Sequence, residues 1–327
     1  MMRIPARLQV PASRRHIGVA AVIAGCLLGM GEVLFSQEPP PTAGVQLVLE
    51  AEKTRFVEGE PVYVTVRLRN VGSTVVDSFK VLDPRAGAIR VVIETPDRPR
   101  LVFLPLSLVD VEGGVSKLEP DRELTTVIPI FYGGLKWSFP QPGTYTVAAT
   151  YRHSKTMSSQ AVRSNSITLS VTQGDGAGRL LMEDTRAGEE TGKFLVWQQG
   201  DHLLQGLERL TRLLTNYPNS PITDYVRLAL GHNLSRTFRD YSMGKTRRQD
   251  CARALAYLDQ VRSDRLPRYL QVQKHLDDAR CRYASGQSTQ SSEALAEARV
   301  LSRDRGEYQP LFEQAMRLEP ALQALQR

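Results

Sequence analysis

Between residues 45 and 172 apolar and polar positions alternate with a period of two, the mark of half-buried strands. Val62, Val64, Val66 and Leu68 share one face of the clearest run, against Tyr63, Thr65, Arg67 and Arg69 on the other. The pattern predicts strands over 45–49, 62–69, 74–82, 89–94, 101–108, 124–131, 144–151 and 166–171. Turn residues separate them, among them Asn70-Val71-Gly72, Asp83-Pro84, Gly133-Gly134 and Pro142-Gly143. About eight short strands with regular punctuation predict a β-sandwich with Greek-key connections. After Gly174-Asp175-Gly176-Ala177-Gly178 the period becomes 3.6. Leu203, Leu207, Leu210, Leu214 and Tyr217 form one helical stripe, closed by Pro218 and Pro221. Further helices are predicted over 222–238, 250–261, 267–285, 293–301 and 308–318. The expected fold class is therefore α+β with two domains: a sandwich over 45–173, a Gly-rich linker at 174–178 and an antiparallel helical array over 179–327.

The N-terminal segment has its own pattern. Arg3, Arg7, Arg14 and Arg15 precede an apolar run over 17–35 broken only by Glu32, the physical form of an export signal. Three fates fit residues 1–36: cleavage near Ser36, lipidation of Cys26 within Ile23-Ala24-Gly25-Cys26, or retention as a membrane anchor. Each places the rest of the chain outside the cytoplasm, periplasmic or secreted. Residues 37–44 (QEPPPTAG) read as an extended Pro-rich spacer.

Composition narrows the classes. Of 327 residues, 41% are hydrophobic and 24% charged, which excludes wholesale disorder, and three Cys exclude a fold built on disulfides. The four N-terminal Arg against Glu32 carry +3 of the formal +7. The remaining +4 is interspersed with acids, with no basic stripe for nucleic acid.

Two segments carry a resemblance. FVEGEPVYVTVRLRNVG (56–72) and FPQPGTYTVAATY (139–151) resemble strands of bacterial Ig-like sandwich domains of the macroglobulin and BsuPI kinds. LTRLLTNYPNSPITDYVRLALG (210–231) and HLDDARCRYASGQSTQSSEALAEARVL (275–301) resemble tetratricopeptide (TPR-like) repeats, although irregular in spacing. The first resemblance implies a binding or spacer module, with a tyrosine whose hydroxyl bonds backbone. The second implies an α-solenoid with a concave, partner-binding groove.

No reaction is written in the motifs. His16, His153, His202, His232 and His275 are widely spaced, with no metal-ligand pattern. Residues 188–194 (GEETGKF) miss the phosphate-loop spacing and its Ser/Thr, and no G-x-S-x-G elbow occurs. No catalytic residue, metal or cofactor is expected. Cys251 and Cys281 lie nearly equidistant from the turn at Leu266-Pro267, so an antiparallel pair would set them opposite one another, and export permits a bridge. Against this, Cys281 sits about 200° round the helix from Ala279, off the apolar stripe, so two separate half-buried thiols remain the alternative. The expected function is a non-catalytic, exported protein-interaction adaptor of the cell envelope, taking a protein or peptide through the helical groove, with Tyr225, Arg227 and Tyr283 as candidate contacts. The alternatives are a protease inhibitor acting through loops 111–117 or 153–159, and an enzyme of unrecognised type, which would need a polar cluster converging in a cleft.

Overall fold

The computed structural model describes residues 44–79, 82–95, 98–107, 115–152, 161–240, 244–304, 308–318 and 322–323. All of them belong to one compact unit. Residues 1–36, with Cys26, and nearly all of the spacer at 37–44 lie outside the described residues. Among those described, no helix is long and apolar enough to cross a membrane.

The alternating region forms a curled sheet. Its strands are β1 (Val45–Glu50), β2 (Arg55–Val57), β3 (Tyr63–Asn70), β4 (Val76–Phe79), β5 (Ile89–Thr95), β6 (Arg98–Val102), β7 (Val115–Leu118), β8 (Glu123–Pro129), β9 (Tyr132–Gly133), β10 (Lys136–Trp137), β11 (Gly143–Arg152) and β12 (Ala161–Thr172). The main sheet runs β6-β5-β11-β12-β1-β3-β8, with β2 also on β12; β4 pairs with β7 and β9 with β10 as small ribbons. Pairing is antiparallel except for β1 and β2 against β12.

The curl is centred on β12, which meets β1 at Leu47 and Ser164 and then meets β2 along Ser170–Thr172. Side chains close the gaps this leaves. Asn165 Oδ1 accepts from the Leu49 amide at 2.8 Å, and its Nδ2 donates to the Leu49 carbonyl at 2.9 Å. At the register shift between Ala148 and Thr150, the Ala149 amide donates to Ser164 Oγ at 2.8 Å. The bulge thus costs no orphaned donor. The alternating residues Leu47, Leu49, Val64, Val66, Leu68, Val91 and Val147 are all buried on the inner face. Tyr145 packs edge-on to Phe139 and donates its hydroxyl to the Gln141 carbonyl at 2.7 Å.

Eight α-helices follow among the described residues: α1 (Ala177–Met182), α2 (Arg186–Trp197), α3 (Leu204–Asn216), α4 (Ile222–Ser235), α5 (Cys251–Leu258), α6 (Arg268–Ala284), α7 (Ser288–Asp304) and α8 (Gln309–Leu318). The helix expected over 222–238 ends at Ser235, and the stretch before α5 holds a ribbon of β13 (Phe238–Asp240) and β14 (Lys245–Arg247). The sequence pattern missed α1 and α2. The segment that fell short of a phosphate loop is the body of α2, whose N-cap Thr185 accepts from the Gly188 amide at 3.2 Å. Its Gly192 faces the Tyr132 ring so closely that a Cβ would overlap it. Glu190 of α2 in turn caps α3, accepting from the Gln205 and Gly206 amides at 2.9 and 3.1 Å.

The apolar core does not stop at the segment expected to be a linker. One buried cluster runs from Leu47, Val66 and Val147 of the sheet through Leu181, Phe194, Leu210, Leu213 and Val226 of α1–α4. Two smaller clusters join α4–α6 and α6–α8, and sheet residues pack against both: Tyr63 on the first, Val127 on the second. Residues 174–178 are a packed joint between the layers: a Cβ on Gly178 would overlap the Glu58 carbonyl. Glycine-rich stretches read as flexible, yet the missing side chain equally lets two backbones touch. Replacing Gly178 with Ala should therefore destabilise the whole protein by about 2–3 kcal/mol, measured by denaturant unfolding, as a single transition for strands and helices together.

Candidate functional site

The sheet and the helical array do not meet flush. A cleft opens between β3 and β8 on one side and the ends of α2 and α4 with α6 and α8 on the other. One half, lined by His232, Arg236 and Gln273, has a volume of about 300 Å³. At Trp197 and Tyr269 it adjoins a second half of about 480 Å³, where the Arg85 guanidinium clasps Asp83 through three hydrogen bonds at 3.1, 2.9 and 2.7 Å.

Helix ends place the polar groups. α2 stops at Gln198, whose positive φ of 52° turns the chain back while its amide closes the helix onto the Phe194 carbonyl. The Gln198 side chain, nearly buried, accepts from Gln273 Nε2 of α6 and is hydrogen-bonded to the Tyr63 hydroxyl. Burial, with Tyr269 close by, pushes the Tyr63 hydroxyl above its ordinary range, and Gln198 offsets only part of this; burial also raises Tyr269. Both rings keep their protons.

The floor is a charged network between α4 and α6. His232 Nδ1 lies 2.6 Å from Asp277 Oδ2, and the Ser235 hydroxyl lies 3.1 Å from Oδ1. Arg280 donates to Asp277 and, at 3.1 Å, to Ser235 Oγ; Arg236 Nε lies 3.9 Å from Asp277. Asp277 is fully buried. Burial alone would raise its carboxyl, but His232, Arg280 and Arg236 outweigh that and hold it well below the ordinary carboxylate range. The negative end of α4 is also covered: Arg247 donates to the Asn233 and Arg236 carbonyls at 2.7 and 3.0 Å, and the Asp250 amide to the Leu234 carbonyl at 2.8 Å.

The sequence-predicted contacts lie elsewhere. Tyr225 is core: it is 3% exposed and donates to the buried Glu60 at 3.1 Å. Burial first, then Glu60, raises its hydroxyl well above the ordinary range. Arg227 sits 3.7 Å from the fully buried Asp224, which Arg262 also binds. Tyr283 is exposed, at the far end of α6 from Tyr269. None of the three lines the cleft. The residues that do were missed because His232 and Asp277 stand 45 positions apart and meet only when α4 packs on α6. Of the candidate inhibitor loops, 153–159 and the start of 111–117 lie outside the described residues. No cluster of three metal-ligating side chains occurs among the described residues.

Cys251 and Cys281 are joined by a disulfide, their Cα atoms 4.9 Å apart. Cys281 is fully buried although off the main stripe, because α6 is buried on more than one side. The bridge closes a 30-residue span, so C251S with C281S should lower stability by roughly 3 kcal/mol in the chain-entropy account, read as a drop in the thermal midpoint.

No known protein family and no curated protein matches the chain. Solved structures share only distant geometry. A β-glucosidase from Listeria innocua is 12% identical over 39% of this chain, with a TM-score of 0.23, and this chain spans 16% of that enzyme's length. Spo0M, a sporulation control protein from Bacillus subtilis, is 11% identical over 43% of this chain and 54% of its own, with a TM-score of 0.26. AvmM, which catalyses macrocyclization in alchivemycin A biosynthesis, is 12% identical over 41% of this chain and 91% of its own, with a TM-score of 0.23. Likeness at this level carries no argument about activity.

On α6, burial and Lys274 hold the His275 imidazole down to about 4. Between pH 6.5 and 4 the unfolded chain takes up a proton that the folded chain refuses, so stability falls as pH falls. Asp278, raised by burial, works in the opposite direction. The difference between wild type and His275→Gln isolates the histidine: the variant's thermal midpoint should fall less from pH 7 to pH 4.5.

Proposed function

We propose that this chain is an exported, non-catalytic binding protein of the cell envelope, in which an Ig-like, Greek-key β-module and a TPR-like helical array are fused and the cleft between them receives a peptide segment of a protein partner. One observation carries the reading: aromatic and polar side chains from four separate elements, Tyr63, Trp197, His232, Arg236 and Tyr269, converge on a single opening. The backbone hydrogen bond of Tyr145 and the hairpin of α6 on α7 are what support the Ig-like and TPR-like parts. The sheet takes up much of the space that an open solenoid would offer a partner, so recognition falls to the cleft instead of a broad groove.

Phage-displayed peptides selected on the full exported chain should bind it, and Trp197→Ala should weaken the selected peptides by on the order of 2 kcal/mol. Selection of no peptide, or binding indifferent to Trp197 and Tyr269, would overturn the proposal. The His232–Asp277 pair also supports an enzyme reading, and a selected peptide cut instead of held would move the assignment there.

A further inference from the structure

We infer that the peptide segment is received as an added β-strand along the open edge of β8, which deepens the binding reading above and rests on it. β8 ends the main sheet: among the described residues it pairs with β3 and with no other strand. The register says which of its backbone groups are engaged. The Ile130 amide donates to the Val62 carbonyl and the Asn70 amide to the Arg122 carbonyl. The pairs that exchange hydrogen bonds are therefore Val64 with Ile128, Val66 with Thr126 and Leu68 with Leu124. The intervening Thr125, Val127 and Pro129 turn their backbone groups away from β3. Neither the Thr125 nor the Val127 amide has a partner among the described residues. Pro129, with no amide hydrogen to offer, stands at one of these outward positions, where a strand tolerates it.

The sequence treats the two edges of the sheet differently. β6, at the far edge, reads Arg-Pro-Arg over 98–100, the charges and proline that keep a foreign strand away. β8 reads Leu-Thr-Thr-Val-Ile over 124–128, with no charge between Glu123 and Pro129. Much of that uncharged stretch lies in the cleft, where Thr126, Val127, Ile128 and Pro129 line the second half in succession. A row of alternating donors and acceptors is matched by the main chain of an extended peptide. Four strand positions, at roughly 3.3 Å each, take about four residues of it. Val127 packs with Tyr269 on the helix side, and Ile128 belongs to the core of the sheet. The side chains of an added strand would alternate in the same way, and on the helix side Trp197, 38% exposed, is the surface for an apolar one to cover.

The test uses the full exported chain and a synthetic copy of the tightest phage-selected peptide, with each backbone amide N-methylated in turn. Affinity, read by calorimetry, should fall about tenfold or more at every second position and little at those between, because only alternate amides of an added strand face β8. Amide hydrogen exchange read by NMR measures the protein itself. In the free chain the Val127 amide should exchange faster than those of Thr126 and Ile128, and bound peptide should slow it. Val127→Pro, which deletes that amide and leaves the β3 ladder whole, should weaken the peptide more than Val127→Ala, which keeps it. Methylation tolerated alike at all positions, with Val127 exchange unmoved by the peptide, would overturn the added strand and leave peptide binding in the cleft standing. Equal losses from the two Val127 variants would count the same way. If no peptide is selected, both readings fail.

Discussion

A curled sheet has one inner face that must leave water, and here α1–α4 supply the cover. Leu181, Phe194, Leu210 and Val226 complete a core that begins with Leu47, Val66 and Val147. Each layer buries that surface against the other, at a gain of roughly 25 cal/mol per Å² of apolar area removed from water. Everything else is built on this seam. The later helices reach the sheet through their own contacts, at Glu52 and Val127, and the cleft is the part of the seam that the side chains leave unfilled.

Buried polar groups mark where the seam is specified as well as stabilised. Glu60 accepts from Tyr225, the Val57 amide and Lys53, tying the sheet to α4. Glu52 accepts from Tyr308 and from the Arg268 amide at the start of α6. Asp277 binds α4 to α6. Removing one partner of such a set strands a buried charge, so each favours a single arrangement of helices over near alternatives.

How much of this was legible depended on range. Long alternating runs such as β3 and β11 were read within a residue or two, because every second side chain meets the same core. The strands β2, β7, β9 and β10 have two to four residues, too few to show a period. α2 was hidden by Gly188 and Gly192, whose purpose is close packing and not flexibility. The disulfide pairing had a local cue in the turn between α5 and α6. The cleft had none: Gln198 belongs to a helix that was not seen, and His232 finds Asp277 only through the tertiary fold. Tyr225 and Arg227, chosen as contacts, are drawn inward by Glu60 and Asp224, partners that the spacing of α4 alone does not reveal.

The backbone contact between Gly178 and Glu58 has one more outcome. A joint with no side chain in it, clamped at van der Waals distance, gives the two walls of the cleft no hinge. The sheet and the first helix are thus held at a spacing that any added side chain would force apart.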